Sequence, residues 1–258
     1  MSPAVELIKF PRTPHLEGST LQAGDGDLPR VGLNALPGDE LFVSEKLDGV
    51  NVGLRFDASA RPWLFSRAHF LGAEPWFDRL KQQIARDQAG LFERLGTRFV
   101  LYGEWLEARH TVFYDALPAW LFVFDLFDLE VGRFLGTAAR RRHLAGLELV
   151  EPPELFHGPA AAMPPVPRLL APSRYVSTAV VSNFEATVRG RGLSVEKERA
   201  QTQLSGQVEG LVFRVERDGW LRARCKYVRP GFRQTLAVSD VHWARRPFVP
   251  NLVAPRSR

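Results

Sequence analysis

Short apolar runs, either continuous or alternating with polar residues, recur along the chain and predict a core built mainly from β-strands. The runs are rich in aromatic and β-branched residues and end near Gly, Asp or Pro, as strands commonly do. Two of them flank Asp48-Gly49, a dipeptide typical of tight turns, and predict a β-hairpin over 41–56. The strands expected from this pattern cover residues 41–43, 52–56, 63–67, 98–105, 120–127, 209–216 and 220–227.

Helical periodicity is found in three segments between these strands. Over 74–95 apolar residues recur at helical spacing, and Gly96 follows at the position of a C-terminal cap. A shorter helix is predicted over 137–145, ended by Gly146, and a further helical stretch over 183–204.

Proline and glycine mark the irregular parts of the chain. Residues 1–40 are predicted to form an irregular arm. Residues 151–173 hold seven prolines and predict a long surface loop rather than a linker, because candidate residues lie on both sides of it and must converge. Residues 228–258 are expected to form a short basic tail with no further domain. The basic and aromatic residues of this tail are Arg229, Arg233, Trp243, Arg245 and Arg246.

Composition narrows the class of protein. Of the 258 residues 45% are hydrophobic and 24% are charged, as in soluble globular proteins. No signal peptide is recognisable, and no apolar run approaches the roughly 18 residues of a membrane helix. One cysteine excludes an internal disulfide and fits a reducing compartment, so a cytoplasmic protein is expected. The net charge of +5, carried mostly by arginine, favours a polyanionic partner such as nucleic acid.

A lone lysine, Lys46, lies in the predicted turn, within Glu-Lys-Leu-Asp-Gly-Val-Asn at 45–51. A lysine held in a tight turn among other charges is a candidate nucleophile, provided that its pKa is lowered enough to free the amine lone pair. The alternative is a surface hairpin with a solvated lysine, since so short a pattern also occurs by chance.

Two glutamates accompany apolar strands. Glu104 lies within the apolar run 98–105, where a carboxylate is costly unless it is paired or bound, and a structural ion pair is the alternative to a ligand. Glu209 precedes another apolar run, and Gly210 beside it would let a ligand approach the backbone.

Three cations alternate along the last predicted strand. Arg222, Arg224 and Lys226 therefore share one face, while Cys225 points to the other and is interpreted as a core residue. Three positive charges on one strand face repel one another unless they contact water or a polyanion. Water is the simpler alternative, and a bound triphosphate is the more specific hypothesis.

Aromatic and imidazole side chains complete the candidates. Phe122 and Phe124 share a strand face, and one of them could stack on a base, although core packing is the more common use. His15 is interpreted as a packing or hydrogen-bonding residue rather than a catalytic base.

In this order the pieces resemble the motifs of covalent nucleotidyltransferases, the superfamily of polynucleotide ligases and mRNA capping enzymes. The resemblance spans residues 45–226. Asn51, five residues after the lysine, makes the chain similar to ATP-dependent RNA ligases of the second phage-T4 type, which carry K-x-[HD]-G-x-N. The resemblance rests on Lys46-x-Asp48-Gly49, Arg67, Tyr102-Gly103-Glu104, Phe124-Asp125, Glu209-Gly210 and Arg224-Cys225-Lys226.

The resemblance implies both a fold and a reaction. The fold would be α+β: an ATP-grasp-like adenylyltransferase domain over 1–227, with mainly antiparallel twisted sheets around a nucleotide cleft and peripheral helices. In the reaction, Lys46 would attack the α-phosphate of ATP and form lysyl-AMP. The AMP would pass to an RNA 5′-phosphate, and a 3′-OH would displace it to seal the strand.

The resemblance also implies roles for individual residues. Glu45 would lie at the adenine edge, Phe124 would stack on the base, and Asn51 would serve the RNA-dependent steps. Phosphate contacts and metal contacts (Mg²⁺ or Mn²⁺, partly through water) would complete the site. The phosphate-binding residues would be Arg67, Arg224 and Lys226, and the metal-binding residues Asp48, Glu104 and Glu209.

Two departures from the family pattern leave alternatives open. Arg224 stands where motif V usually begins with lysine. The ligases normally append a domain that grips nucleic acid, so self-adenylylation is expected to exceed sealing by this chain alone. The alternatives are a ligase of nicked DNA or RNA–DNA hybrid with the same chemistry, and a non-catalytic RNA-end-binding protein. The expected partners are RNA with 5′-phosphate and 3′-OH ends and an end-healing kinase or phosphatase.

Overall fold

Two β-sheets form the framework of the computed structural model, which describes residues 5–21, 24–33, 40–232 and 247–255. The six-stranded sheet contains, in spatial order, β2 (Arg30–Val31), β1 (His15–Leu16), β11 (Trp220–Val228), β10 (Gly210–Arg217), β3 (Glu40–Lys46) and β9 (Glu154–Gly158). The five-stranded sheet contains β5 (Pro62–Ser66), β4 (Val50–Phe56), β6 (Phe99–Trp105), β7 (Leu121–Asp128) and β8 (Arg133–Phe134). Among the strands of the described residues, the parallel pairs are those of β1 with β2 and with β11, and every other strand pair is antiparallel. The predicted α+β fold with mainly antiparallel sheets is therefore confirmed.

Helices surround the sheets. None of those in the described ranges is long and apolar enough to cross a membrane. The α-helices are α1 (Asp78–Arg86), α2 (Gln88–Leu95), α3 (Thr137–His143), α4 (Val166–Leu169), α5 (Val180–Gly190) and α6 (Val195–Ala200), and single 3₁₀ turns cover Pro75–Phe77 and Ala160–Ala162.

The main hydrophobic core lies between α1, α2 and one face of the five-stranded sheet. Leu80 and Ile84 of α1 and Leu91 and Leu95 of α2 are buried against this face, because their spacing places them on one side of each helix. The strands contribute Val52, Leu54, Phe56, Leu101, Trp105, Leu121, Val123 and Leu126 to the same core. The opposite face of the sheet is therefore left to border the cleft.

The predicted hairpin over 41–56 is wrong. β3 pairs with β10 and β9 in one sheet, whereas β4 pairs with β5 and β6 in the other. Residues 47–49 thus carry the chain between the sheets. A side chain on Gly49 would clash there, because a Cβ would lie 2.6 Å from the carbonyl oxygen of Trp105.

Several predicted segments differ in detail. The helix expected over 74–95 is divided at Asp87 into α1 and α2, and Gly96 ends α2 with a positive φ of 49°. The stretch 183–204 is likewise two helices, α5 and α6. The proline-rich segment 151–173 is not only a loop, since it supplies β9 at the edge of the six-stranded sheet and the short α4.

The terminal segments pack on the domain. The arm expected to be irregular adds β1 and β2 to the six-stranded sheet. In the predicted tail, Asn251 is buried, accepts a hydrogen bond from the Tyr114 N–H and donates one to the Leu106 carbonyl. Residues 247–255 therefore belong to the body of the protein. Four tail residues, Arg233, Trp243, Arg245 and Arg246, lie outside the described residues.

Gly210 is predicted to tolerate no side chain. A Cβ there would lie 1.9 Å from the carbonyl oxygen of Tyr227 on β11. The group that approaches Gly210 closely is therefore the neighbouring strand and not the ligand expected from the sequence. Gly210→Ala should lower the free energy of unfolding by about 2–3 kcal/mol, because backbone must move to make room. Urea denaturation would measure the loss.

Gly190→Ala provides the matched control. Gly190 ends α5, and a Cβ added there would meet no atom within 4 Å, so this variant should be as stable as the parent or slightly more so. Equal stability of the two variants would contradict the close approach at Gly210.

Candidate active site

A cleft of about 550 Å³ lies between the two sheets, within the size range of small-molecule sites. Its walls come from β3, β10 and β11 on one side and from β4, β6 and β7 on the other. All nine residues predicted to bind nucleotide or metal, and Lys46 itself, line it: Glu45, Lys46, Asp48, Asn51, Arg67, Glu104, Phe124, Glu209, Arg224 and Lys226. The residues predicted from the sequence therefore meet in one cleft, and their contacts are described below.

Lys46, the last residue of β3, is held against Glu209. Its Nζ donates a hydrogen bond to Glu209 Oε2 over 2.7 Å, a contact set by the pairing of Lys46 with Gly210 across β3 and β10. Burial opposes the charged ammonium, but Glu209, Glu104 and Asp48 together raise the pKa of Lys46 above its ordinary value. The lowered pKa that a nucleophilic lysine requires is thus not present in the protein by itself, because three carboxylates act on the Lys46 ammonium.

Glu104 and Glu209 are themselves shifted. Burial is the main cause that raises the pKa of each carboxyl to about 7, and Lys46 opposes the shift at both. Glu104 Oε1 accepts the Gly49 N–H over 3.1 Å, while Glu209 Oε1 is buried without a hydrogen-bond partner among the described residues. Carboxylate oxygens of this kind suit Mg²⁺ or Mn²⁺.

The predicted metal ligands are not assembled into a cage. Among the described residues no group of three or more His, Cys, Asp or Glu side chains is arranged to hold a metal ion. The residues present nevertheless fit a cation that keeps several water ligands, as Mg²⁺ usually does, with Glu209 and Glu104 nearest to Lys46.

Asp48 has a structural task that the sequence did not reveal. Its buried Oδ2 accepts the backbone N–H groups of Thr111 and Val112, each over 2.7 Å. Its own N–H donates to the Tyr114 hydroxyl over 3.0 Å. This carboxylate therefore ties the link between the sheets to the segment that follows β6.

Glu45, the neighbour of Lys46 on β3, is almost fully buried. Burial raises the pKa of its carboxyl to about 7, against the opposing effects of the Ser173 hydroxyl and the Arg174 charge. Its Oε1 has no hydrogen-bond partner among the described residues. A buried acceptor beside the cleft is available to a polar group of a ligand.

A β-bulge in β7 orients the aromatic candidate. Tyr102 pairs with Asp125 and Gly103 pairs with Val123, so Phe124 is an extra residue, and both Phe124 and Asp125 line the cleft. Phe124 meets Phe10 edge-on, with ring centroids 5.2 Å apart. Phe122, expected on the same face, is instead buried in a separate cluster with Tyr175.

Each of the three cations of β11 has a carboxylate partner, and these partners offset the repulsion between the cations that the sequence predicted. Arg222 Nη2 lies 3.3 Å from Asp218, Arg224 Nη2 lies 2.8 Å from Asp125, and Lys226 Nζ lies 2.5 Å from Asp25. These three partners are Asp218 of the β10–β11 turn, Asp125 of β7 and Asp25 of the N-terminal arm.

Of the three residues expected to bind phosphate, Arg224 has the contacts that fit this role least. It is buried between the rings of Phe10 and Phe134, at 4.4 and 4.5 Å from their centroids, beside Asp125. Burial lowers the pKa of its guanidinium to about 10, with Asp125 opposing. These contacts are those of a residue that joins the two sheets, and its nucleotide-binding role stays a prediction.

The remaining predictions are simpler. Arg67 is exposed at the mouth of the cleft, just beyond β5, and Asn51 lies on β4 opposite Glu104 of β6. Cys225 is fully buried, and burial raises the pKa of its thiol to about 12, consistent with a core residue. His15 is fully buried and hydrogen-bonded to Ser19 and Asp25, which confirms the hydrogen-bonding interpretation.

A buried ionic network that connects β10 with β7 and α3 was not predicted from the sequence. Arg214 of β10 contacts Asp125 of β7 and donates from Nε to Glu216 Oε1 over 3.0 Å. Glu216 in turn accepts the N–H and hydroxyl of Thr137 at the start of α3. The signal in the sequence is the alternation of Arg214 and Glu216 with apolar residues in β10, which places two charges on one strand face.

Asp48→Ala is predicted to destabilise the protein in the absence of any metal. The substitution leaves the N–H groups of Thr111 and Val112 buried without this acceptor. The loss should be about 2–4 kcal/mol of unfolding free energy. Chemical denaturation in the presence of EDTA would measure it.

Asp48→Asn is the conservative comparison, because its amide oxygen can still accept. It should lose less stability than Asp48→Ala. If Asp48→Ala were as stable as the parent in EDTA, the structural role would be refuted and a role confined to metal binding would gain support.

Comparison with known proteins agrees with this geometry. A family model described as RNA ligase matches residues 39–228, and no curated protein sequence matches the chain. An archaeal ATP-dependent RNA ligase structure is 19% identical, with a TM-score of 0.51, over 85% of this chain and 48% of its own. An RNA ligase of Naegleria gruberi is 14% identical, with a TM-score of 0.45, over 76% of this chain and 51% of its own.

The chain thus spans about half the length of these two solved structures. At such identities the archaeal structure supports the fold. The family model is stronger evidence, because it covers well over half of the chain and runs from β3 to β11. The matched range includes Lys46, Glu104, Glu209 and Lys226. The chain belongs to the RNA ligase family.

Proposed function

We propose that this protein is an ATP-dependent RNA ligase that works through a lysyl-AMP intermediate. The observation that carries the proposal is the position of Lys46 in the cleft, with its ammonium 2.7 Å from the Glu209 carboxylate. Lys226 lines the same wall of the cleft, on β11. A nucleophilic amine, an acceptor for its proton and a cation for phosphate are thereby gathered in one site.

In the first step, the lone pair of Lys46 Nζ forms a bond to the α-phosphorus of ATP. The bond from that phosphorus to the oxygen bridging to the β-phosphate breaks, and pyrophosphate leaves with the electron pair. The Lys46 ammonium loses one proton before its lone pair can attack, and Glu209 Oε2 is the acceptor within hydrogen-bond distance. The nitrogen loses a second proton, to water, as the neutral phosphoramidate forms. Burial raises the pKa of Glu209 to about 7, which favours its acceptance of a proton.

Glu209 and Glu104 would hold a divalent cation beside Lys46. A bound cation supplies positive charge that offsets the carboxylates and stabilises the developing charge on phosphate. In the protein these carboxylates raise the pKa of Lys46, so their neutralisation would favour the amine that attacks.

The pocket walls suit a purine nucleotide. Phe124 offers a ring edge-packed on Phe10, and the buried Glu45 Oε1 is an acceptor for an amino group such as that of adenine. Lys226 and Arg67 line the cleft, where they would contact the phosphates. In the later steps the AMP passes to an RNA 5′-phosphate and a 3′-OH displaces it, with Asn51 serving these steps. The RNA ends would be prepared by a kinase or phosphatase partner.

Lys46→Ala is predicted to abolish covalent labelling by ATP. The parent, incubated with ATP radiolabelled at the α-phosphate and Mg²⁺ or Mn²⁺, should carry label through a denaturing gel, whereas GTP and NAD⁺ should give little. Lys197→Ala, which removes an exposed lysine of α6, is the matched control and should label fully. Failure of the parent to label with either metal would refute the lysyl-AMP proposal.

Sealing is tested separately on nicked duplexes with a 5′-phosphate. Preference for an RNA 3′-OH strand over a DNA strand would support the RNA ligase assignment. Equal or better sealing of DNA would transfer the same chemistry to a DNA ligase, and RNA binding without any label would indicate an end-binding protein.

Metal affinity is predicted to rise with pH. Glu104 and Glu209, with pKa values of about 7, are largely protonated at pH 6 and must lose protons when a cation binds. The apparent affinity for Mn²⁺ should therefore increase from pH 6 to about 7.5 and then level off. Titration calorimetry at several pH values would measure this slope.

Glu209→Gln should reduce the slope by about one proton, because one linked carboxyl is lost. Glu185→Gln, on the outer helix α5, should leave the slope unchanged. A slope of zero in the parent would show that these carboxyls do not exchange protons for metal.

A further inference from the structure

The N-terminal segment holds the strand that carries Lys226. β1 pairs in parallel with β11, with His15 opposite Lys226, and the Lys226 N–H donates to the Pro14 carbonyl over 2.8 Å. Two residues further on, the Val228 N–H donates to Ser19 Oγ over 2.9 Å. The backbone of β11 on both sides of Tyr227 is thus bound by one short segment of the arm.

A chain of side-chain hydrogen bonds continues from this segment to the Lys226 ammonium. Ser19 Oγ lies 2.7 Å from His15 Nδ1, His15 Nε2 lies 2.9 Å from Asp25 Oδ2, and Lys226 Nζ donates to the same Oδ2 over 2.5 Å. An ionised carboxylate only accepts, so Nε2 carries the imidazole proton and Nδ1 accepts from the Ser19 hydroxyl.

Asp25 is anchored independently of Lys226. His15 is fully buried, and Arg12 Nη2 lies 3.5 Å from Asp25 Oδ1. Although burial opposes it, contacts with Lys226 and His15 lower the pKa of Asp25, so the carboxylate is charged at neutral pH. Asp25 also lines the cleft, which places an arm-borne acceptor at the wall of the nucleotide site.

We propose that His15 and Asp25 are positioning residues, which fix the Lys226 ammonium so that its remaining donors meet the nucleotide phosphates. The inference rests on the proposed function, in which Lys226 binds phosphate. A lysine ends a flexible four-carbon stem and has three N–H donors. One donor is held by Asp25 Oδ2, and two remain for a ligand.

The same contact keeps Lys226 charged. Burial lowers the pKa of Lys226, and the positive charge of Lys46 acts in the same direction, whereas Asp25 and Glu209 oppose the shift. His15 contacts the same Asp25 oxygen as Lys226, Arg12 lies near the other oxygen, and both help to hold the carboxylate in place. Loss of the Asp25 charge would therefore loosen the ammonium and let it lose its proton at lower pH.

Asp25→Asn tests the proposal with little change in shape. In the self-adenylylation reaction we expect the KM for ATP to rise about tenfold, since one charge-assisted contact is lost, with a smaller change in kcat. The alkaline limb of kcat/KM should move to lower pH. Asp27→Asn is the matched control, because Asp27 is 70% exposed and its ion-pair partner within the described part of the chain is Arg12. This variant should behave as the parent.

His15→Gln, made in the parent and in Asp25→Asn, tests whether His15 acts on Lys226 through Asp25. In the parent it should raise the KM in the same direction, and in Asp25→Asn it should add little, because both changes act through Lys226. Thermal unfolding of each variant separates this effect from lost stability. A parent-like KM and pH profile in Asp25→Asn would overturn the proposal, and so would tighter ATP binding, which would make Asp25 a competitor of phosphate.

A second readout does not depend on ligase activity. The pKa of the Lys226 ammonium can be followed by NMR of ¹⁵N-labelled lysine, with Lys226→Arg to assign the signal. It should fall in Asp25→Asn and stay at the parent value in Asp27→Asn. If the parent takes no label from ATP, the proposed function fails while this titration still decides whether Asp25 holds Lys226; an unchanged pKa would overturn that claim.

Discussion

A single buried carboxylate, that of Asp48, holds the point at which the chain leaves one sheet and enters the other. β3 ends at Lys46 and β4 begins at Val50, so the few residues between them set how the two walls of the cleft stand to each other. Asp48 binds this link to two N–H groups that would otherwise lie buried without that acceptor. The position of the lysine ammonium therefore depends on backbone that is fixed from the opposite side of the cleft. Gly49 belongs to the same constraint, since the link passes against the Trp105 carbonyl with no room for a side chain.

Charge balance is the second organising feature of the cleft. Lys46 faces Glu209, Lys226 faces Asp25, and Arg224 faces Asp125, so the cationic wall is neutralised by the protein's own carboxylates. Buried ion pairs of this kind contribute little net stability, because their charges are costly to desolvate. Their effect is to fix the positions of the charged side chains. The carboxylates around Lys46 raise the pKa of its ammonium, so this lysine is protonated at neutral pH in the protein by itself. In the proposed reaction, a cation that offsets these carboxylates would favour the neutral amine.

The sequence pattern predicts each strand of seven or more residues, because strand propensity and alternation are local properties, and all ten residues predicted for the site line the cleft. Partners are not local: nothing near Asp48-Gly49 indicates that its two flanking strands pair with β10 and β6 instead of each other. The bulge at Phe124 and the contact of Asp25 with Lys226 could not be predicted for the same reason, since each depends on a strand distant in sequence. The direction of the Lys46 pKa shift could not be predicted either, because it depends on the number of carboxylates that converge in space.

The pairing of β1 with β11 has a consequence for how the protein is made. His15 and Lys226 are neighbours in the sheet although more than two hundred residues separate them, so the segment around His15 leaves the ribosome long before its partner exists. Domains are commonly completed as units during synthesis, and contacts between distant segments form late because loop closure must come first. The five-stranded sheet, whose strands all lie between residues 50 and 134, can assemble early. The wall formed by β3, β10 and β11 must wait for β11, so a nascent chain that stalls before this strand would lack Lys226 and leave β10 as an unpaired edge beside the strand that carries Lys46.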